Sequence, residues 1–546
     1  MDLRLRFTKL TDKDAPFDAP VPVSVHLDAE QGDTPTFDFR TPLKDADLTD
    51  LRWYIERYPA WPVGPDYDRA QDVQARLPVM GRALFDAVFQ AAPDAMRLFE
   101  RFDARRTAEA TLTVDTAEPR ILRLPWELLA DAGGYLFSRR PEITVRRRMR
   151  QTRATRVRPF DLPVRILMAV SRPEGDGVGF IDPRSSAEPL LDAVAALGDR
   201  VEVEFLRPPT VAALTARLRD RAAPPVHVLH FDGHGVYDPG VGLGFLLFED
   251  DAHRPDQVDA ERLGALLNDC GVPLVILDAC QTATPDDRNP FGSVATRLIE
   301  SGVGGVVAMN YSVLVPTARA LTGSFYRGLA AGESVAASLD AARLALLADT
   351  KRLTLHRGDG EETIHLQDWF VPALYQQEAE LRPFARDGRP TTDNRQLTTG
   401  DRRTRAPATL PRQPDRAGFP PEPVHGFHGR ARELLALERL FADKAAVVLH
   451  GFGGQGKTSL ATHAAWWLTR TGLFERAAFL SFEDGKGLDV VLAELGAALV
   501  GDDFAIHAGD KSRPSPTPWP RPPPSSSSTT SNRSSPPATS PSPPTP

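Results

Sequence analysis

The sequence has 546 residues (59.7 kDa) and is too long for one hydrophobic core, because single cores stop growing at roughly 250 to 300 residues. Its net charge of −8 argues against general binding to nucleic acids, which requires basic residues gathered on one face. Cys270 and Cys280 are its only cysteines, so a disulfide framework is excluded and a reducing compartment is expected. The N-terminus lacks a signal-peptide core, and no apolar run approaches the roughly 20 residues that span a bilayer. We therefore expect a cytoplasmic protein without membrane contact.

Residues 1–158 are expected to form an α+β accessory region. Its strand-like segments are LRLRFTKL, PVSVHLDA and EATLTVDT, and the apolar residues of VMGRALFDAVFQA recur at helical spacing. The region ends in a dense basic run, VRRRMRQTRATRVR, at 145–158. We interpret this run as a solvated linker or as a face that pairs with acidic residues, and contact with nucleic acid is the weaker alternative.

Residues 159–375 alternate strand patterns with amphipathic helix patterns, which predicts βαβ units. The strand segments include VRILMAVS, VEVEFL, VHVLHF and PLVILDAC, and the helical segments include AEPLLDAVAALG and AERLGALLNDCG. The fold class is therefore α/β, with a mostly parallel sheet flanked by helices on both faces. Functional groups in such sheets lie just past the carboxyl ends of the strands, so the ends of VHVLHF and PLVILDAC are the candidate site.

Two residues at these strand ends carry the chemistry of a cysteine nucleophile. Cys280 ends one strand, and His234 follows the other within DGHG. An imidazole that accepts the thiol proton turns a cysteine into a nucleophile, and the amides of Gly235 and Cys280 are candidate oxyanion donors. The alternatives are ordinary ones, since a His-Gly pair is most often a turn and a cysteine that ends an apolar strand is most often core.

The chain resembles the CHAT domains, caspase-like cysteine peptidases related to separases, caspases and metacaspases, in the ordered series HFDGHG, LLNDCGVPLVILDACQTA, ATRLIESGVGGVVAMNYSV and SFYRGLAAGESVAASLDAAR. The resemblance covers roughly residues 120–373 and opens with LPWELL. It implies a caspase-like sheet, His234 as the general base, Cys280 as the nucleophile, a protein substrate and no cofactor for the peptidase. No third catalytic residue is assigned, because caspase-like enzymes generally work with two.

Asp278 is a candidate substrate-binding residue. The two-residue period of a strand puts positions 278 and 280 on the same side, so a carboxylate lies beside the nucleophile. Metacaspases and paracaspases carry an acid at this offset, whereas many CHAT sequences carry serine. We therefore predict cleavage after Arg or Lys, since a buried carboxylate pairs with a guanidinium and disfavours apolar side chains. The alternative is an aspartate that caps a loop or helix after the strand.

The histidines of the same stretch do not predict a metal site. His227, His230 and His234 have the spacing H-x2-H-x3-H, but positions 227 and 230 face opposite sides of a strand, so the imidazoles would not converge. Cys270 lies in the helix-ending NDCG and is interpreted as structural. We therefore predict no metal ligands.

A flexible linker at 376–424 leads to a second folded unit at 425–505, which contains AAVVLHGFGGQGKTSLATHAA. The pattern G-x-x-x-x-G-K-[ST] after an apolar strand predicts a P-loop for ATP and magnesium. The candidate nucleotide-binding residues are Gly451, Gly454, Gly456, Lys457, Thr458 and Ser459. The preceding GFHGRARELLALERLF resembles the entry of STAND nucleotide-binding domains, including the NB-ARC type, which implies a switch that forms homo-oligomers in complete relatives.

The P-loop unit is expected to be truncated. No strand with an acidic Walker B pair follows the helical LDVVLAELGAALV, and the Pro/Ser-rich residues 506–546 are expected to be disordered. We therefore expect no nucleotide hydrolysis, and nucleotide binding is itself in question. A naturally shortened protein and a reading-frame or assembly artefact are the two explanations, and the abrupt change in composition favours the second.

The sequence thus predicts a cysteine endopeptidase under the control of a STAND-type switch, which the resemblances associate with bacterial signalling or defence. Two alternatives stay open. One is a non-catalytic caspase-like scaffold that binds a partner, and the other is a nucleotide-binding switch as the main activity.

Overall fold

The computed structural model describes residues 1–10, 12, 15–28, 33–106, 110–149, 159–238, 243–278, 290–357, 360–378, 380–385, 419–421, 426–482 and 485–499. Cys280, the tail at 506–546 and most of the predicted linker lie outside these residues. The chain divides into two compact units, Met1–Arg476 and Ala477–Pro546. No helix in the described ranges is long and apolar enough to cross a membrane.

The N-terminal part of the first unit contributes strands to a central sheet and a group of helices. In chain order its elements are β1 (Asp2–Phe7), β2 (Val21–Leu27), β3 (Phe37–Phe39), α1 (Asp45–Glu56), α2 (Pro65–Phe85), α3 (Pro93–Arg105), β4 (Ala110–Asp115), α4 (Pro119–Leu122), β5 (Ala130–Asp131), β6 (Gly134–Tyr135) and β7 (Ile143–Arg148). The strands expected in LRLRFTKL, PVSVHLDA and EATLTVDT are confirmed as β1, β2 and β4. In β2 burial alternates strictly along the strand, because every second side chain faces the core.

The remainder of the first unit alternates strands with helices, as expected. Its elements are β8 (Val164–Val170), α5 (Arg184–Ala195), β9 (Val201–Phe205), α6 (Val211–Arg219), β10 (Val228–Asp232), β11 (His234–Asp238), β12 (Leu243–Glu249), β13 (Pro255–Asp259), α7 (Ala260–Asp269), β14 (Leu274–Asp278), α8 (Pro290–Glu300), β15 (Gly305–Met309), α9 (Val315–Ala330), α10 (Val335–Ala348), β16 (Lys351–Arg357), β17 (Gly360–His365), β18 (Pro372–Gln376), α11 (Ala431–Asp443) and α12 (Lys457–Arg470). The second unit contains α13 (Leu488–Leu499), which confirms the helix expected in LDVVLAELGAALV.

Within the described residues, eleven strands form one sheet in the order β3-β2-β1-β4-β7-β18-β15-β14-β10-β8-β9. The five strands from β15 to β9 are parallel, while β18 runs antiparallel to β15. β7 pairs with β18, so strands from 1–158 and from 159–375 belong to the same sheet. The predicted domain boundary at 158 itself stays a prediction.

Helices cover both faces of this sheet and confirm the predicted α/β class. Val228 and Ile276 belong to one core cluster together with apolar residues of α5, α9 and α10. The alternate residues Leu229 and Leu277 belong to a second cluster with apolar residues of α7 and α8. β10 and β14 are buried along their whole length, which explains why both read as continuous apolar runs.

The interpretation of the basic run at 145–158 as a solvated linker needs a correction. Its first residues belong to β7 inside the sheet, and Arg146 and Arg147 are fully buried, so a solvated linker is wrong for residues 145–149. Arg146 pairs with Asp2 at 2.8 Å, and Arg147 pairs with Glu127 at 2.5 Å. The alternative of pairing with acidic residues is confirmed there, while residues 150–158 lie outside the described ranges.

The prediction of two strands in the P-loop region is also wrong for the residues that the structure describes. Residues 445–450 and 477–482 form no strand, although the first segment leads into a glycine-rich loop as predicted. A strand needs a neighbour for its backbone hydrogen bonds, and no strand pairs with these segments within the described ranges. Val448 is consequently 83% exposed despite its strand-like apolar context.

Candidate active site

The two strands that carry the predicted site are hydrogen-bonded neighbours. β10 and β14 are parallel, and their register pairs Asp232 with Asp278. His234 follows Asp232 by two residues, and Cys280 follows Asp278 by the same interval. The prediction that the two strands end at a common edge is confirmed, although Cys280 itself lies outside the described residues.

A bend at Gly233 takes the chain out of the main sheet just before His234. A Cβ atom built on Gly233 would lie 2.7 Å from Cζ of Phe231 and 3.2 Å from Cβ of Ser171, so a side chain there would force the buried Phe231 ring to move. After the bend, β11 joins a separate sheet in the order β11-β12-β13, in which His234 pairs with Leu247. Glycine at 233 therefore allows His234 to begin a new strand beside the end of β10.

The His234 ring is oriented by a backbone carbonyl. His234 is only 2% exposed, and its Nε2 lies 2.7 Å from the carbonyl oxygen of Gly179. A carbonyl only accepts, so Nε2 carries the hydrogen and Nδ1 of the neutral ring keeps its lone pair. Sequence reasoning missed Gly179, since it lies in the unpatterned loop PEGDGVGF and takes part through its backbone.

The pKa of His234 is held below its ordinary value. Burial is the main cause, since it disfavours the charged ring, and the nearby Arg172 adds to the effect. The hydrogen bond to Gly179 acts in the opposite direction, because it stabilises the ring when it is protonated. The result is a neutral imidazole whose Nδ1 carries the lone pair, which suits a group that accepts a proton.

Arg172 holds the loop that carries Gly179. Its buried guanidinium donates to the carbonyl oxygens of Ser171 (2.9 Å), Ile181 (3.1 Å), Asp182 (3.3 Å) and Asp232 (2.7 Å). It also donates to Oδ2 of Asp232 at 2.6 Å, and both side chains are buried. Burial raises the pKa of Asp232 and the charge of Arg172 opposes this. Arg172 thus ties residues 171–182 to the end of β10.

Asp278 is buried at the end of β14, with 6% of the residue exposed. Its Oδ2 lies 3.8 Å from Nε2 of His230, and Nδ1 of His230 lies 3.1 Å from the hydroxyl of Tyr326. Burial, together with the negative charge of Asp278, raises the pKa of Tyr326. The structure therefore places a buried carboxylate two residues before Cys280, as the sequence predicted, and its role stays a prediction.

The other histidine and the second cysteine of the sequence analysis have structural surroundings. Nδ1 of His227 accepts a hydrogen bond from the amide of Arg165 at 3.1 Å, and its ring contacts Phe160; burial lowers its pKa to about 4. Cys270 is the C-cap residue of α7, as NDCG suggested. Among the described residues, no group of three or more histidine, cysteine, aspartate or glutamate side chains is arranged to hold a metal ion.

The predicted P-loop has the loop and the helix of this motif. Gly454 and Gly456 have φ angles of 76° and 72°, and α12 begins at Lys457. Nζ of Lys457 donates to the carbonyl of Phe452 at 2.8 Å across the loop. Thr458 and Ser459 lie in the first turn of α12, while Gly451 begins the loop. Backbone amides, a lysine and a hydroxyl at a helix N-terminus fit a phosphate with magnesium.

One protein family and several solved structures are similar to parts of this chain. The CHAT domain family model matches residues 79–377, which confirms the resemblance seen in the motifs and extends it towards the N-terminus. Similar solved structures include caspase-1 from Spodoptera frugiperda, with 12% identity over 43% of this chain and 100% of that chain, at a TM-score of 0.26. The Saccharomyces cerevisiae separase–securin complex matches with 10% identity over 70% of this chain and 30% of that chain, at a TM-score of 0.40. No curated protein matches the chain.

Proposed function

Because the chain belongs to the CHAT domain family, we propose that it is a cysteine endopeptidase in which His234 is the general base and Cys280 the nucleophile. The observation that carries the proposal is the neutral, buried His234, held by Gly179 at the end of a strand whose neighbour ends two residues before Cys280. A histidine that served only as a turn residue would need neither burial nor a fixed tautomer.

The reaction would be acyl transfer to the thiol. Nδ1 of His234 takes the proton of Cys280, and the sulfur attacks the peptide carbonyl carbon, whose oxygen becomes an oxyanion. The amides of Gly235 and Cys280 are the proposed donors to that oxygen. His234 then gives the proton to the leaving amine as the C–N bond breaks, and water hydrolyses the thioester with the imidazole again as base. The Nε2 hydrogen bond to Gly179 stabilises the ring while it is protonated.

Asp278 would select substrates with Arg or Lys before the cleaved bond. It shares a register position with Asp232, but the two carboxylates have different partners. Asp232 is paired with the permanent charge of Arg172 at 2.6 Å, whereas Asp278 lies 3.8 Å from the imidazole of His230. A substrate cation would thus meet a carboxylate that has no arginine partner within the described residues.

Cleavage of a fluorogenic peptide library by the full-length chain tests this proposal. We expect cleavage after Arg or Lys by the wild type, and none above background by Cys280→Ala or His234→Ala. Equal cleavage by the wild type and Cys280→Ala would contradict the proposed nucleophile. A folded wild type whose Cys280 fails to react with a basic peptidyl acyloxymethyl ketone would favour the alternative, a non-catalytic scaffold that binds a partner.

A second candidate function is nucleotide recognition by the loop at 451–459, as part of a STAND-type control of the peptidase. The left-handed Gly454 and Gly456 before α12 favour it. The backbone amides and Lys457 would hold the phosphates of ATP, and Thr458 would ligate a magnesium ion that neutralises them. We propose binding without hydrolysis, and the test is thermal unfolding with ATP and magnesium. Stabilisation of the wild type that is lost in Lys457→Ala supports binding, and equal curves for both proteins argue against it.

A further inference from the structure

Helices α11 and α12 dock on the sheet that carries the candidate site, within the same compact unit. Arg207, beyond the end of β9, donates to Glu438 of α11 at 2.8 Å and to the carbonyl of Thr471 at 2.9 Å. The ring of Phe205 lies 6.5 Å from that of Trp467 in an edge-to-face arrangement. These contacts attach the two helices beside β9 without involving residues 171–182.

A different residue of α11, Arg439, reaches the loop next to the candidate site. Its Nη2 donates to the carbonyl of Arg172 at 2.8 Å and lies 3.2 Å from Oε2 of Glu249, and its Nη1 pairs with Glu174. The side chain of Arg439 is 16% exposed, so much of the guanidinium is removed from water. Arg439 therefore binds the loop, through the Arg172 carbonyl and the Glu174 side chain, and also the Glu249 carboxylate at the end of β12.

Glu249 connects Arg439 with the backbone of Arg172. It is 2% exposed, and its Oε1 accepts a hydrogen bond from the amide of Arg172 at 2.8 Å. Its Oε2 contacts Nδ1 of His253 at 2.6 Å as well as Arg439. A buried carboxylate requires positive partners, and Arg439 is the one of these two whose charge is permanent. Removing Arg439 would weaken the anchor of Glu249 and, with it, that of Arg172.

The chain of contacts ends at His234. Arg172 holds the carbonyls of Ile181 and Asp182, and the same loop supplies the Gly179 oxygen that accepts the Nε2 hydrogen of His234. A shift of this loop would release the ring from its acceptor, and a displacement of a catalytic group by about 1 Å can lower the rate roughly 100-fold. The contact between Arg432 of α11 and the ring of Phe180, at 4.2 Å, lies on the residue next to Gly179.

We propose that Arg439 is a positioning residue for His234, acting through Glu249 and Arg172, so that the peptidase is competent only while α11 is docked. This inference rests on the proposed function of His234 and Cys280. It names helix α11, which leads into the P-loop segment, as the element through which that segment acts on the peptidase.

Several charged groups lie on the elements packed around His234. They include Arg172, Glu174, Asp176 and Asp182 in the loop, Asp232 at the end of β10 and Glu249 at the end of β12. None of them is removed by substitution of Arg439, so a changed pH dependence in such a variant would report the position of the ring.

The first experiment compares Arg439→Gln with Arg207→Gln in the full-length chain, using the best peptide substrate. Each variant lacks an arginine that attaches α11 to the rest of the unit, but only Arg439→Gln loses the contacts with Arg172 and Glu249. We expect kcat to fall about tenfold or more in Arg439→Gln with KM changed less than twofold, while Arg207→Gln stays within twofold of the wild type. Arg439→Lys should recover part of kcat, because a lysine still pairs with Glu249. Equal losses in both glutamine variants, or an effect on KM alone, would overturn the inference.

The second experiment needs no peptide substrate. The rate of alkylation of Cys280 by iodoacetamide is measured by mass spectrometry, with Cys270 in the same molecule as the internal reference. In the wild type at pH 6.5 we expect Cys280 to react faster than Cys270, because the imidazole accepts its proton. Arg439→Gln should lose most of this advantage at pH 6.5, and the two proteins should converge near pH 9.5, where the thiol ionises without a base.

The outcomes separate the two proposals. If Cys280 has no advantage over Cys270 in the wild type, the dyad fails and the positioning inference fails with it. If the wild type has the advantage and Arg439→Gln keeps it fully, the dyad stands and the positioning inference is overturned. If the reactivity advantage of Cys280 is lost in Arg439→Gln but kept in Arg207→Gln, both the dyad and the positioning inference are supported.

Discussion

Asp232 and Asp278 show how partners determine the use of a side chain. The two aspartates occupy paired positions on parallel strands, and both are buried. Arg172 neutralises Asp232 through a bond of 2.6 Å, whereas the ion-pair partner of Asp278 within the described residues is His230 at 3.8 Å. Asp232 therefore helps Arg172 to hold the loop at 171–182, whereas Asp278 remains suited to a cationic substrate.

Substitution of each aspartate by asparagine tests this division. Asp278→Asn should reduce kcat/KM at least tenfold for substrates with Arg or Lys before the cleaved bond, relative to substrates with a neutral residue there. The free energy of unfolding should change little. Asp232→Asn should lower the free energy of unfolding by about 3 kcal/mol, because it leaves the buried Arg172 without its ion-pair partner. Peptide-library cleavage and urea unfolding of both variants provide the measurements, and an unchanged preference in Asp278→Asn would contradict the specificity role.

The environment of His234 predicts how kcat/KM depends on pH. A base must be unprotonated to accept the thiol proton, and the pKa of His234 is depressed from an ordinary value of 6.5. A lowered pKa keeps the ring neutral to lower pH, so the acid limb of kcat/KM that His234 controls should lie below pH 6.5. The pH–rate profile of the wild type measures this limb. An acid limb at or above the ordinary histidine value would show that burial does not set the ionisation of the base.

At the scale of elements, strand β7 brings permanent charges into the middle of the sheet. Arg147 donates to both oxygens of Glu127, at 2.5 Å and 3.1 Å, and Arg343 of α10 lies 3.7 Å from the same carboxylate. All three side chains are essentially inaccessible to solvent. Glu127 belongs to the LPWELL segment, so this segment, β7 and α10 are joined by one buried ionic group.

Glu127→Ala should therefore destabilise the fold strongly. Two buried arginines lose a shared partner, which predicts a loss of about 3 to 5 kcal/mol in the free energy of unfolding. The double variant Glu127→Leu with Arg147→Met should recover part of this loss, because apolar groups of similar size replace the pair. The control is Arg254→Ala at a solvent-exposed pair with Asp250, where the free energy of unfolding should change little. Equal effects at both places in denaturant unfolding would contradict the argument.

For the whole molecule, the continuity of the sheet links the N-terminal region to the strands that carry the candidate site. β1 lies between β2 and β4, and β7 joins this part to β18. Leu112 and Val114 of β4 are fully buried, so removal of β1 to β3 would uncover a strand edge and an apolar surface. Helices α11 and α12 contribute no strand to this sheet, so their removal leaves its strand pairing intact, although Leu434 and Trp467 of these helices belong to the core.

Two truncations should consequently behave differently. A chain that begins at residue 110 should aggregate, because the edge of β4 and its apolar side chains are exposed. A chain that ends at residue 385 should stay folded but lose activity, since it lacks Arg439. Size-exclusion chromatography and circular dichroism, followed by peptidase assay, distinguish these results. A monomeric, folded protein from the first truncation would show that the sheet does not need its N-terminal strands.

Much of the fold could be predicted because strands and helices follow from the order of apolar and polar residues over a short stretch of the chain. Apolar runs such as VHVLHF and PLVILDAC correspond to the buried strands β10 and β14, and the rule for parallel sheets predicted where they end. The basic run at 145–149 misled this reasoning, since burial of Arg146 and Arg147 depends on the distant partners Asp2 and Glu127. The strand expected at 445–450 likewise depended on a neighbour that the local pattern does not supply.

The sequence by itself determined the alternation of strands and helices, the family motifs, and the position of His234 after a strand, because these depend on neighbouring residues along the chain. Only the tertiary structure decided that Gly179 orients His234, that Arg172 and Glu249 hold the loop, and that Arg439 of α11 completes this network. Gly179 lies 55 residues before His234 and acts through its carbonyl oxygen, which every residue has. Arg439 lies 190 residues after Glu249, and no periodicity relates the two. Such contacts form when the folded sheet brings distant segments together, and a local pattern carries no information about them.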